Sequence, residues 1–423
     1  MTKAKRCVAM AILAALIATM GCGKPLPGPD DNGTEESPAV IQETDVPKEN
    51  GLGSAPAEEG PAFDVVRAMG VGWNLGNTLD CIDNQKLGIA KATTSTTPEI
   101  YYETSWGNTV TTAENLAAVA KAGFGAVRVP VTFSDHMDEG FNIRTEWLLR
   151  VEQVVKYVLD NDIYCIINVH HDTGHGSWPW LKADSSNIAR LERQFRKVWQ
   201  QIATHFAEYG DKLLFEGFNE ILDTQDNWSG SDSASYDAVN RLNQVFVDTV
   251  RGAGGNNANR FLVVKTYAAS VEADVLDAFV LPKDSAEGRL IVGVHYYGTA
   301  AFVMNQSQIS WMDAYDDWGL VRDGQPVEMV LRQLNSRFVE KGTPVIVGEF
   351  GAQNKGNTAD RARYAAHYVA TAKKYGIACF WWDTGGQFEN AGLVNSSALL
   401  DRAGNRWFFP EIVDSLMAAS QSN

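Results

Sequence analysis

Two glutamates are the residues best placed to do chemistry. Glu220 closes Leu213-Leu214-Phe215-Glu216-Gly217-Phe218-Asn219-Glu220, and Glu349 closes Pro344-Val345-Ile346-Val347-Gly348-Glu349 ahead of Phe350-Gly351. Short apolar, β-branched runs bounded by Gly or Pro read as buried strands. A carboxylate where such a strand meets a loop sits at the mouth of a sheet or barrel, where several chain segments converge. Two carboxylates facing each other there are the minimum equipment for cleaving a glycosidic bond: one donates a proton and the other, ionised, meets the positive charge that develops on the sugar.

The elements that would position them alternate. Strand candidates are Met69–Leu75, Ala126–Val131, Ile163–Val169, Leu213–Phe218, Phe261–Thr266, Leu290–His295, Pro344–Glu349 and Ile377–Trp382, with helical runs between them. Thr112–Ala122 opens on a capping Thr, and Trp147–Asp160 spaces Leu148, Val151, Val154, Val155 and Val158 at helical intervals. Asn187–Tyr209, Ala238–Gly252, Val327–Lys341 and Asp360–Tyr375 read the same way. Eight strands alternating with helices predict an α/β fold, a (β/α)8 barrel of the TIM type. An open doubly wound sheet is the rival, but Gly70-Val71-Gly72-Trp73-Asn74-Leu75-Gly76 lacks the glycine spacing of a phosphate-binding turn.

On the barrel reading, polar residues at strand ends gather on one face. They are Asn77, Arg128, the pair His170 and His171, Asn219 with Glu220, His295 with Tyr297, Glu349, and Trp382. The fifth strand offers only Lys265 and Tyr267. Each has a plainer reading: Arg128 as a structural ion pair, the histidines as hydrogen-bonded core residues. Their convergence on one face is what favours function. Repulsion between two close carboxyls keeps one protonated, Arg128 would hold the other ionised, and Asn219 can bond a sugar 2-hydroxyl. Trp106, Trp178, Trp180, Trp228, Trp311 and Trp318 lie in loop-like stretches, and about half of them are expected to stack on sugar rings.

The segments Gly72-Trp73-Asn74-Leu75-Gly76-Asn77-Thr78-Leu79-Asp80, Glu103-Thr104-Ser105-Trp106-Gly107-Asn108 and Gly123-Phe124-Gly125-Ala126-Val127-Arg128-Val129-Pro130-Val131 carry a resemblance. So do Ile167-Asn168-Val169-His170-His171-Asp172, Phe215–Glu220, Val294-His295-Tyr296-Tyr297, Gly348–Gly351 and Trp381-Trp382-Asp383-Thr384-Gly385, all in one order. In this the chain resembles glycoside hydrolase family 5, in its branch of bacterial endo-β-1,4-glucanases and xyloglucanases. The resemblance implies a retaining mechanism with Glu220 as acid/base and Glu349 as nucleophile. Arg128, His170, Asn219, His295, Tyr297 and Trp382 match positions that usually complete the family's site. It implies no metal or organic cofactor. Two departures lie beside the cleft: Ile221 stands where Pro usually follows the acid/base, and Gly298-Thr299-Ala300 replaces a Ser-Pro-type turn.

Composition narrows the alternatives. A net charge of −16 leaves nothing basic to neutralise phosphates, which argues against nucleic acid. Lys3, Lys5 and Arg6 precede an apolar run from Val8 to Met20, the shape of a secretory signal. Thr19-Met20-Gly21-Cys22 resembles a bacterial lipoprotein processing site and implies a lipid on Cys22; simple secretion and a retained anchor are the alternatives. The expected organisation is a signal peptide over 1–21, an acidic Pro-rich linker over 22–60 too polar to order itself, and a catalytic domain over 61–423. Cys165 and Cys379 lie in strand-like runs as small hydrophobes, and no zinc spacing appears. The expected partners are a β-glucan polymer and, through the anchor, a membrane; the chain is expected to act as a monomer, secreted or held at the cell envelope. Mannan or xylan as the polymer, an inactive glycan-binding lipoprotein, and a metal-dependent hydrolase built on His170, His171 and His295 are the competing readings.

Overall fold

The computed structural model describes residues 59–86, 95–309, 312–386, 393 and 396–422. The expected signal segment, Cys22, nearly all of the linker and Trp311 lie outside the described residues. Eight parallel strands close into a barrel in sequence order: β1 Val71–Leu75, β2 Ala126–Val129, β3 Tyr164–Asn168, β4 Leu213–Glu216, β5 Leu262–Lys265, β6 Leu290–His295, β7 Val345–Phe350 and β8 Ala378–Asp383. Closure comes from β1 pairing with β8, where Trp73 lies opposite Trp381 and Asn74 opposite Trp382.

Each strand is followed by a helix on the outside. In order these are Ala113–Ala122, Thr145–Leu159, Ile188–His205, Ser233–Gly252, Ala273–Ala278, Gln325–Arg337, Thr358–Lys374 and Pro410–Gln421. The first shows how local sequence sets an element. The Thr112 side chain accepts from the Asn115 amide while Asn115 Oδ1 accepts from the Thr112 amide, and the helix stops at Gly123, whose φ of 107° suits glycine. The expected strands and helices are all present, with ends shifted by a few residues. Helices not foreseen include Pro410–Gln421 and the short Ala273–Ala278, which complete the ring, and Pro61–Met69, which absorbs the start of the expected first strand.

Alternation along the strands divides the interior in two. Trp73, Val127, Cys165, Phe215, Leu262, Val292, Val345, Cys379 and Trp381 point outward into the core shared with the helices. Ala126, Ile166, Leu214, Val263, Ile291, Ile346, Ala378 and Phe380 form a second, apolar cluster with Ala62, Val65, Val66 and Met69 of the N-terminal helix. That helix plugs the bottom of the barrel. Two residues further along the same faces the character changes to Asn74, Arg128, Asn168, Glu216, Lys265, Gly293, Gly348 and Trp382. The polar layer therefore sits at the carboxyl ends of the strands. Cys81, Cys165 and Cys379 are free and buried.

Candidate active site

Arg128 organises the polar layer from β2. Its Nη1 donates to Glu349 Oε1 at 2.8 Å and to Asn74 Oδ1 at 3.0 Å. Its Nη2 donates to Glu216 Oε1 at 2.6 Å and to Asn219 Oδ1 at 2.9 Å, and Nε reaches Glu216 Oε2 at 3.2 Å. The guanidinium is wholly buried, and Glu216 and Glu349 overcome the effect of burial to raise its pKa. Because Asn219 Oδ1 is engaged, its amide nitrogen is left as a donor.

Glu349 accepts at both oxygens, from Arg128 and, at 2.8 Å, from the Tyr297 hydroxyl. Strict alternation from Val345 and Val347 would turn it toward the helices. The register of β7 shifts against both β6 and β8 here, so that His295 pairs with Glu349 and Phe350 with Trp381. Such an irregularity re-aims a side chain, and it brings Glu349 inward. Burial lifts the Glu349 pKa, while Arg128 and Tyr297 pull it back; the net direction is up.

Glu220 lies four residues beyond the end of β4, in the loop, and its Oε1 is 2.7 Å from His295 Nδ1. Burial first, and the charge of Glu349 second, hold its pKa well above the ordinary carboxyl value. Glu220, His295 and Glu349 bring one polar atom each to within 4.8 Å of one another. His295 is fully buried and held neutral by burial and by Lys265, Arg128 and His170. Its other nitrogen, Nε2, is 2.8 Å from Lys265 Nζ. His170 takes a bond from Asn168 Nδ2 on its Nδ1 at 3.1 Å and stacks on Trp382 at 5.7 Å and 6°.

The arrangement is two buried carboxyls, one tied to a guanidinium and a phenol, the other to a neutral imidazole and held protonated. It suits proton donation and nucleophilic attack at one centre. A sequence model described as Cellulase (glycosyl hydrolase family 5) matches residues 90–387. The chain belongs to glycoside hydrolase family 5. Endoglucanase A of Clostridium longisporum is 37% identical over 360 residues, which are 84% of this chain and 65% of that protein. Cellulase/esterase CelE of Acetivibrio thermocellus is 40% identical over 84% of this chain, which spans only 40% of that relative's length. Among solved structures, a "GH5-4 broad specificity endoglucanase" from Ruminococcus champanellensis with bound cellotriose superposes with a TM-score of 0.75 at 36% identity, covering 84% of this chain and 98% of that one.

Within this family 5 barrel the residues singled out in the sequence are not equally central. Arg128, Asn219, Tyr297 and Glu349 form one hydrogen-bonded set and Glu220 with His295 a second, 3.6 Å apart between His295 Nδ1 and Glu349 Oε1, and His170 and Trp382 stack beside them. His171 turns aside: its Nδ1 lies 2.6 Å from the Asp80 carbonyl, and its ring faces Trp106 and Trp178. Asn77 is buried in the left-handed region at φ 56°, with no protein partner for its Oδ1 among the described residues. Of the loop tryptophans, Trp180 donates to Asp172, Trp228 sits in the outer core and Trp318 lies against His367 outside the barrel. Among the described loop tryptophans, only Trp106 and Trp178 adjoin a residue singled out for the site.

Two residues were missed. Glu216 is the main partner of Arg128, and Lys265, named as one of two residues the fifth strand offers but not placed in the site, lies in the middle of the layer. Alternation carried the signal: Leu214 and Val263 face inward, so the residue two places on must as well. The three histidines considered as one metal set do not come together: His170 and His171 group with Asp80, whereas His295 groups with Glu220 and Glu349.

Proposed function

We propose that the chain is a retaining, endo-acting hydrolase of β-1,4-glucan backbones, such as cellulose, mixed-linkage glucan or xyloglucan. One observation carries the reading: oxygens of Glu220 and Glu349 approach within 4.8 Å, close to the separation of about 5–5.5 Å expected for retention and short of the ~6.5–9.5 Å that would seat a water between them. Glu349 Oε attacks the anomeric carbon while Glu220 gives its proton to the leaving glycosidic oxygen. The glycosyl ester so formed is opened by a water that surrenders a proton to Glu220, and Glu349 departs as carboxylate. Arg128 and Tyr297 stabilise Glu349 when it is charged, and the free amide of Asn219 is placed to bond the sugar 2-hydroxyl.

The test is hydrolysis of carboxymethylcellulose, mixed-linkage glucan, xyloglucan, xylan and mannan by the purified protein, with the first-formed anomer read by proton NMR. β-Anomer from a glucan supports the reading. Prior cleavage of mannan or xylan would move the substrate, α-anomer would remove the mechanism, and silence on every polymer would leave a binding barrel. Secretion and lipid attachment at Cys22 are part of the proposal, resting on the signal-like N-terminus. Incorporation of labelled lipid in a bacterial host, lost in Cys22→Ser, checks the anchor.

A further inference from the structure

Within the polar layer of the described barrel, the two displacement steps leave one buried cation, Lys265, without a task. Lys265 ends β5 with its side chain wholly enclosed, 2.8 Å from His295 Nε2 and 3.7 Å from Glu216 Oε1. Burying an ammonium is costly unless its bonds are made, so its seat is informative. Its register partner on β6 is Gly293, where a Cβ would come within 2.6 Å of Val263 Cγ1 and 3.0 Å of Lys265 Cδ. A Cβ on Gly348 would lie 3.1 Å from His295 Nε2. Two glycines on adjacent strands thus clear the space in which lysine and imidazole meet.

An ammonium has protons to donate and no lone pair with which to accept. With Lys265 donating, Nε2 must be the bare nitrogen of a neutral ring, and the ring proton must sit on Nδ1, facing Glu220 Oε1. We infer that Lys265 is a positioning residue that fixes His295 in the Nδ1–H tautomer and thereby keeps the acid's own proton on Glu220. His295 then bonds Glu220 through Oε1 as a donor only, leaving the carboxyl proton on Oε2. Without the ammonium, Nε2 becomes a free base. The imidazole could then bind the proton that Glu220 needs, giving an imidazolium–carboxylate pair with nothing to pass to a leaving group. Glu349, 3.6 Å from Nδ1, and Glu216 would favour that state; Arg128 and His170 would oppose it; Tyr297 is uncharged. Burial lowers the Lys265 pKa to about 8, against the pull of Glu216, so it still carries its charge at neutral pH.

The inference rests on Glu220 as the acid of the proposed glycosidase, and its first test does not depend on activity. In ¹⁵N spectra of the full, unaltered chain, His295 is expected to show a protonated Nδ1 and a bare Nε2 throughout the range from about pH 5 to 7 in which an ordinary histidine titrates. An Nε2–H tautomer or an imidazolium there would overturn the inference. The second test is Lys265→Met, which keeps the stem and removes the charge. Its kcat/KM on the polymer is expected to fall roughly 100-fold, the usual scale of lost general-acid help, while an aryl glycoside with a good leaving group loses less than about threefold. An equal fall on both substrates, or no fall, would reduce Lys265 to packing. Should the variant not fold, the tautomer decides. Should the unaltered enzyme cleave nothing, the glycosidase reading fails and the tautomer still stands or falls alone.

Discussion

Glu220 and Glu349 are one residue type given two behaviours by what touches them. Glu349 meets a guanidinium and a hydroxyl, Glu220 a neutral imidazole, and both are taken out of water. Glu349→Ala is therefore expected to abolish turnover while leaving polymer affinity nearly intact, since the aromatic and amide contacts remain; strong residual turnover would place the nucleophile elsewhere. A subtler consequence concerns stability. The folded Glu220 pKa lies above its unfolded value near 4.5, so folding takes up a proton there. Its stabilising share is whole below pH 4.5 and is lost as pH rises through the folded pKa. Glu220→Gln keeps an acceptor for His295 and has nothing to titrate. Its melting temperature should exceed that of the unaltered protein at pH 7, with the gap closing toward pH 4.5. Calorimetry at both pH values reads this directly, and a gap that widens toward acid would contradict the protonation state assigned to Glu220.

At the scale of elements, the division of labour is written in pairs of residues two apart. Ala126 and Arg128, Ile166 and Asn168, Leu214 and Glu216, and Val263 and Lys265 each place an apolar residue below and a polar one above on one face. Glycines are fitted to the same layers, with separable effects. At Gly72 a Cβ would lie 2.1 Å from Phe380 Cδ1, within the apolar layer. Gly72→Ala is expected to cost about 1–3 kcal/mol by overpacking and to leave kcat of the folded enzyme alone. At Gly348 the nearest atom is His295 Nε2 at 3.1 Å, so Gly348→Ala asks a shift of only a few tenths of an ångström, but of the ring that faces Glu220, and is expected to lose turnover with a smaller cost in stability. Denaturation midpoints and kcat on the two variants test the contrast; similar losses in both quantities would refute it. This pattern also explains what was legible beforehand. Strand-like runs revealed the eight strands and helical spacing six of the helices between them, and strand ends revealed Arg128, His295 and both glutamates. Lys265 was overlooked because a lone lysine after Leu-Val-Val reads as a strand terminus, although its parity with Val263 pointed inward. The turn of Glu349 could not be read at all, because a register shift is a relation between strands.

Across the whole molecule, stability and chemistry occupy opposite ends of one barrel. The bottom is closed by the helix Pro61–Met69, whose Ala62, Val65, Val66 and Met69 complete the apolar cluster inside the strands. Gly125 makes the fit possible, since a Cβ there would lie 2.5 Å from the Met69 carbonyl oxygen. The sequence did not announce this helix: it is nine residues long, follows a polar stretch and runs into a strand across Gly70. Its function as a plug depends on a cavity that exists only once eight strands have closed. The plug and the carboxylate pair share no contact, so damage to one should not propagate as chemistry to the other. Val66, 1% exposed, is the sharpest probe. Val66→Asp places an unpaired carboxyl in the apolar cluster, and a loss of roughly 3 kcal/mol or more is expected. Below the melting transition the kcat/KM of the folded fraction should match that of the unaltered enzyme, measured with active sites counted by a mechanism-based inactivator. A drop in kcat/KM per active site would mean instead that the barrel transmits strain from its floor to Arg128, and that the two ends are coupled.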